Sequence, residues 1–215
     1  MSKLLYLIRH GYSLHNQKFV EMGYNVNAFR IPEVIDSPLT EEGQRQSIDL
    51  GHQWSDKHNI ELVVVSPLMR ALETAVNIFG DTNIPIICQE YLREYPIGRD
   101  TCNLRSDRDI LQHRFPSIDF SSIHYNKDIL WKAGEENMET IDALNSRISL
   151  MKDYLSQRPE TKIAIVGHSS YIGHFKDNFI PLIENGDEEL KYCYPYEYEL
   201  NNPIIAPQLT RVIII

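Results

Sequence analysis

Leu4-Leu5-Tyr6-Leu7-Ile8-Arg9-His10-Gly11 is the stretch on which the reading of this 215-residue chain turns. Five successive apolar residues give way at once to an arginine, a histidine and a glycine. An unbroken apolar run of this length fits a strand covered on both faces, here at about 3–9. Its abrupt polar end puts Arg9 and His10 where such a strand leaves its sheet. The run is too short for a secretory core and lacks a small-residue cleavage site, so it reads as structure rather than as a targeting segment.

Three further apolar runs, at about 61–65, 84–88 and 162–167, have the same character. They alternate with helical patterns at about 40–58, 68–79, 136–157 and 170–179, which predicts an α/β layer fold with a largely parallel sheet. Thr40-Glu41-Glu42-Gly43 supplies an N-cap and an acidic first turn to the first helix, and Glu135-Glu136 is expected to do the same for the third. The runs at 61–65 and 162–167 end in Ser66-Pro67 and Gly167-His168-Ser169. Together with Arg9-His10-Gly11 they make three polar strand ends, and ligand crevices of open α/β sheets lie beyond such carboxyl ends. Segment 89–134 has weak periodicity, several Pro and Gly and mixed charge, and is expected to be an irregular, lid-like insertion within one domain spanning 1–215. The tail from Tyr192 to Ile215, ending in Val212-Ile213-Ile214-Ile215, reads as closing strands, with antiparallel pairing one possibility.

Composition narrows the function. With 42% hydrophobic and 24% charged residues, the chain can bury a core without disulfides or metals. Cys88, Cys102 and Cys193 are few and in no metal-ligand spacing, which points to reduced thiols and a cytoplasmic location. No run approaches the roughly 18 apolar residues of a spanning helix, so no membrane role is expected. A net charge of −9 argues against nucleic-acid binding, and any anionic substrate must be met by cations concentrated locally.

Chemistry concentrates at the strand ends. A histidine at the end of a buried strand can hold one ring nitrogen toward phosphorus while the other donates to a backbone carbonyl, which fixes the tautomer a nucleophile needs. Gly11 allows the backbone to turn tightly beside an anion, and Arg9 offers a planar fork of donors. The other histidines, His15, His52, His58, His113, His124 and His174, have no metal-binding spacing and read as surface or packing residues, so neither metal nor cofactor is expected. Arg93, Arg99, Arg105, Arg108, His113 and Arg114 of the insertion are interleaved with Asp100, Asp107 and Asp109. They fit either a solvated mixed-charge loop or a lid that grips a second anionic group.

Five motifs occur in order: Arg9-His10-Gly11 with Asn16, Asp36-Ser37-Pro38-Leu39-Thr40-Glu41-Glu42-Gly43, Ser66-Pro67-Leu68-Met69-Arg70-Ala71-Leu72-Glu73-Thr74, Leu92-Arg93-Glu94, and Val166-Gly167-His168-Ser169. Over about 170 residues they resemble the phosphoglycerate-mutase-like branch of the histidine phosphatase superfamily, and Leu92 to Asn103 resembles a poorly characterised plant and fungal subgroup of it. The resemblance implies a three-layer phosphoglycerate-mutase-like sandwich, with a mostly parallel sheet flanked by helices. It implies that His10 attacks phosphorus, that Arg9, Arg70 and His168 hold the phosphoryl oxygens, and that Glu94 protonates the leaving group. Asn16, Gly11 and the Ser169 amide are further candidate anion contacts. The expected function is a metal-independent phosphatase that passes through phosphohistidine and acts on a small phosphorylated metabolite or a phosphoprotein. Phosphoglycerate mutase and a noncatalytic phosphate-binding protein are the alternatives. Tyr12 stands where the family often has an acidic or amide residue, and His15 where its mutases carry a Trp, so the match to a mutase mouth is poor.

Overall fold

Residue alternation along the central strands decides how the layers stack. In a computed structural model that describes residues 2–176 and 190–200, Lys3–Arg9 forms β1, Leu62–Val65 β2, Ile86–Cys88 β3, Ile118–Asp119 β4, Lys162–Gly167 β5 and Pro195–Leu200 β6. Tyr6, Ile8, Val63, Val65, Ala164 and Val166 face one core. Leu5, Leu7, Leu62, Val64, Ile163 and Ile165 face the other. A sheet that is apolar on both faces has to be covered twice, and the helices divide accordingly.

The sheet order is β4-β3-β2-β5-β1-β6. β1 pairs in parallel with β5 and antiparallel with β6, while β2 pairs in parallel with β5 and β3. On the first face lies α3 (Met69–Phe79), with α2 (Glu41–Gln53) packed on it and α4 (Arg108–Arg114) contributing Leu111. On the second lie α5 (Ile141–Gln157) and α6 (Ser169–Phe175). A short helix, α1 (Leu14–Glu21), follows the first strand. The result is the expected three-layer α/β architecture. Among the described residues no helix is long and apolar enough to cross a membrane.

Several boundaries differ from the sequence reading. The helix expected over 40–58 stops at Gln53, and a 3-10 turn, Ser55–Asn59, follows. That turn buries Lys57, whose Nζ reaches the Asp81 carboxylate at 3.0 Å. The helix expected from 136 begins at Ile141, capped by the Thr140 hydroxyl, which accepts from the Ala143 amide at 3.2 Å. Glu135 does not cap it; its carboxylate pairs with Arg99 at 3.0 Å instead. Segment 89–134 is less irregular than expected, since it contains α4 and β4. Of the tail, β6 is an antiparallel closing strand, whereas Val212–Ile215 lies outside the described residues, as do 177–179 of the helix expected at 170–179.

Candidate active site

β2, β5 and β1 are neighbours, so their carboxyl ends meet. The His10 amide donates to the Gly167 carbonyl at 3.0 Å, and the Ser66 amide to the Val166 carbonyl at 3.0 Å. Beyond β1 the chain turns at Gly11, whose amide donates to Thr74 Oγ1 at 3.1 Å, while that hydroxyl donates to the Arg70 carbonyl at 2.7 Å. The turn is pressed against the start of α2. A Cβ on Gly11 would sit 2.5 Å from the Gly43 carbonyl oxygen, and one on Gly43 would land on the Tyr12 carbonyl. Both positions therefore require glycine.

His10 is almost wholly buried, and its Nδ1 lies 2.7 Å from the Gly11 carbonyl oxygen. A carbonyl only accepts, so Nδ1 carries the proton and Nε2 the lone pair. Arg70 donates from Nε to that Nε2 at 3.2 Å, from Nη1 to the Cys102 carbonyl and from Nη2 to Asn103 Oδ1, each at 2.8 Å. Arg70 stands in the first turn of α3, and Asp36 holds that turn by accepting from the Met69 amide at 2.9 Å. The other Asp36 oxygen accepts from the Ser106 amide at 2.8 Å, which ties the insertion to the same helix.

His168 caps α6 with its ring 5.2 Å from that of His10 and its Nε2 2.7 Å from Ser66 Oγ. Its buried Nδ1 has no hydrogen-bond partner among the described residues, which is the kind of atom an incoming anion would satisfy. Arg9 donates from Nη1 to the Leu190 carbonyl at 2.8 Å, and its guanidinium lies 3.8 Å over the Tyr192 ring. Burial lowers the pKa of His10 and of His168 well below the usual histidine value, and Arg70 lowers both further. Both rings are therefore neutral at pH 7.

Glu94 is half-buried at the start of α6. One carboxylate oxygen accepts from the amides of Tyr95 at 2.8 Å and Tyr171 at 3.0 Å, the other from Ser170 at 3.4 Å. Burial pushes its pKa up against those amides and Arg70. The carboxylate thus occupies the amides that follow Ser169. Asn16 sits in the first turn of α1 with Oδ1 engaged by the Ser13 hydroxyl at 2.6 Å, so only its Nδ2 remains to offer an anion.

Sequence reasoning assigned His15 to surface or packing. The structure places its ring 5.9 Å from that of His10, buried, with Nδ1 2.8 Å from Ser13 Oγ. All five insertion arginines have protein partners, and only Arg93 and Arg105 are buried. Arg93 binds Asp128 at 2.6 Å, Arg99 binds Asp100 and Glu135, Arg105 binds Glu90 and four backbone carbonyls, Arg108 binds Asp109, and Arg114 binds Glu73. Among the described residues no group of three or more His, Cys, Asp and Glu side chains is placed to hold a metal ion.

The sequence model of the histidine phosphatase superfamily (branch 1) matches residues 5–180. The chain belongs to that superfamily. Phosphoglycerate mutase-like protein 1 of Arabidopsis thaliana is 33% identical over 203 residues, an alignment covering 80% of this chain and 70% of the relative. A probable phosphatase of Schizosaccharomyces pombe is 26% identical over 186 residues, covering 82% and 78%. Among solved structures, the α-ribazole phosphatase of Shigella flexneri superposes with a TM-score of 0.53 at 24% identity, covering 79% of this chain and 76% of that one. The mycobacterial glucosyl-3-phosphoglycerate phosphatase does so with 0.52 at 21%, covering 80% and 79%. These likenesses show that the histidine phosphatase fold is shared.

Proposed function

We propose that the chain is a phosphomonoesterase in which His10 forms a phosphohistidine intermediate without the help of a metal ion. The observation that carries this reading is the Nδ1 contact to the Gly11 carbonyl, which leaves an unprotonated Nε2 beside the Arg70 guanidinium. In the first step the Nε2 lone pair forms the P–N bond as the ester P–O bond breaks, and the departing oxygen takes the proton of the Glu94 carboxyl. In the second step a water oxygen attacks phosphorus, its proton passes to the Glu94 carboxylate, and the P–N electron pair returns to Nε2 as orthophosphate leaves. Burial shifts the Glu94 pKa upward, in the direction a proton donor to the leaving group requires. Arg9, Arg70 and His168 meet the charge that develops on the equatorial oxygens. The Leu190 carbonyl on Arg9 and the Cys102 carbonyl on Arg70 align those guanidiniums before substrate arrives.

A mutase must also grip a second anionic group while its substrate reorients. Arg99, Arg105 and Arg108, the side chains the sequence nominates for such a grip, are bound to carboxylates and carbonyls of the insertion and, for Arg99, to Glu135 just beyond it, and that favours hydrolysis. The test is rapid quenching with a phosphomonoester. Acid-labile, alkali-stable phosphate mapped to His10, formed in the presence of a strong chelator and blocked by vanadate, is the expected result. Label on Ser13, Ser66 or Cys102, or turnover that needs a divalent ion, refutes it. Isomerisation of 3-phosphoglycerate that outruns phosphate release from the same mixture would transfer the His10 chemistry to a mutase.

A further inference from the structure

The side chains beside His10 that the chemistry does not use are aromatic. The Tyr192 ring centroid lies 6.2 Å from that of His10, and Tyr12 meets Tyr192 edge-on at 5.6 Å. Both tyrosines are half-buried, and one face of the Tyr192 ring carries the Arg9 guanidinium. On the other side of His10 the series continues through His15 to Phe29 at 5.6 Å, then Phe19 stacked at 4.9 Å, then Tyr24 at 5.5 Å. Tyr24 is 69% exposed, and Val20, Met22 and Val26 of the same stretch are also exposed.

Charge at this mouth is not arranged for a second anion. The arginines of the insertion are engaged by protein partners, and the ammonium of Lys191 sits 5.8 Å over the Tyr194 ring. Burial and then Glu21 raise the pKa of the Tyr12 hydroxyl, and the Glu21 carboxylate is itself paired with Lys18 at 2.7 Å. A carboxylate or second phosphate on the substrate would meet rings and cations already engaged by protein partners.

Resting on the phosphatase reading above, we infer that the substrate is a phosphomonoester whose alcohol is uncharged and carries an aromatic ring, which Tyr12 and Tyr192 hold while the phosphoryl group meets His10. Ring edges and faces recognise such a group through area burial and edge-to-face contact, at little cost in conformational entropy.

The experiment must separate recognition from leaving-group reactivity, so it compares alkyl esters: 2-phenylethyl phosphate, propyl phosphate and 3-phosphoglycerate. The expected order of kcat/KM places the phenylethyl ester roughly tenfold or more above the propyl ester, with 3-phosphoglycerate below both. In Tyr12→Ala and in Tyr192→Ala the phenylethyl-to-propyl ratio should fall by about three- to tenfold, the scale of an aromatic contact. Tyr12→Phe should restore it, because the ring and not the hydroxyl is used. Turnover through phosphohistidine with no phenylethyl preference, with 3-phosphoglycerate best, or with a ratio indifferent to both alanine variants overturns this inference and leaves the phosphatase standing. Failure to turn over any ester or to label His10 removes both.

Discussion

Arg70 Nε–H points at His10 Nε2 across 3.2 Å, so the cation and the nitrogen lone pair it faces share one small buried space. The contact keeps a proton off Nε2, since a second cation there would face the guanidinium. Replacing Arg70 by Met should therefore move the acid limb of the kcat/KM profile upward, toward the ordinary histidine value of 6.5, while lowering the rate by the 10²–10³ typical of a lost charge-stabilising donor. An acid limb that stays where the unsubstituted enzyme has it would show that burial alone keeps His10 neutral.

Stability should carry the same signature. His10, His15 and His168 all have folded pKa values well below 6.5, burial being the largest cause and Arg70 the next. As pH falls through 6.5 the unfolded chain takes up these three protons before the folded one does, so stability present above that pH is lost below it. Asp36, Glu73 and Glu94 have raised pKa values and act in the opposite sense, because the folded state protonates them first. Denaturant midpoints between pH 7.5 and 5.5 are the check. The histidines dominate this window, so the midpoint should drop, and a flat or rising one contradicts the assignment of neutral buried rings.

Glu94→Gln keeps the shape of the side chain and removes the transferable proton. Esters of alkyl alcohols should slow by roughly 10²–10⁴, while aryl phosphates, whose leaving groups need little protonation, should slow far less. Equal losses on the two classes would restrict Glu94 to its contacts with the Ser170 and Tyr171 amides.

Gly43→Ala drives a methyl group into the Tyr12 carbonyl, a backbone atom that has no rotamer with which to yield. The expected cost is about 3 kcal/mol, at the upper end for overpacking, with loss of turnover because the displaced loop carries His10. Thermal unfolding measured beside activity decides this. A variant that melts like the parent would mean that α2 shifts freely.

Asp128 accepts from Arg93 Nη1 and Nη2 and from the amides of Arg105, Leu130 and Trp131. Asp128→Ala removes the bidentate partner of the fully buried Arg93, leaves it the Glu90 carboxylate at 3.6 Å and the Asn103 carbonyl, and should destabilise by about 3 kcal/mol. Asp128→Asn, which retains one acceptor, should lose less. Near-neutral effects in chemical denaturation would show the insertion to be held by its apolar contacts alone.

The parts of the fold that were legible in the sequence are those whose surroundings are uniform. β1, β2 and β5 are buried on both faces, so their apolar runs are unbroken, and α3 buries nearly its whole length. α1 was missed because its hold on the fold is local: Ser13 and Asn16 cap it, and Phe19 stacks on Phe29. β4 is two residues long and exists only through its pairing with β3. In the site, strand-end residues stood out because a polar group after an apolar run is visible at any distance. His15 did not, since a turn rather than a period brings it to His10. The Glu94 carboxylate is bonded to amides 76 and 77 residues further along the chain, a relationship no local pattern encodes.

β1 stands inside the sheet, between β5 and β6, although it is the first of the six strands in chain order. During synthesis His10 therefore emerges long before either neighbouring strand exists, the nearer of which begins at Lys162. Closing loops of that span is slow, and an apolar strand that waits for its partners is exposed to chaperones and to aggregation. Nascent chains that stop short of β5 would carry His10 without the backbone acceptor at Gly167 that holds its amide, so the proposed site is assembled only with the last parallel strand.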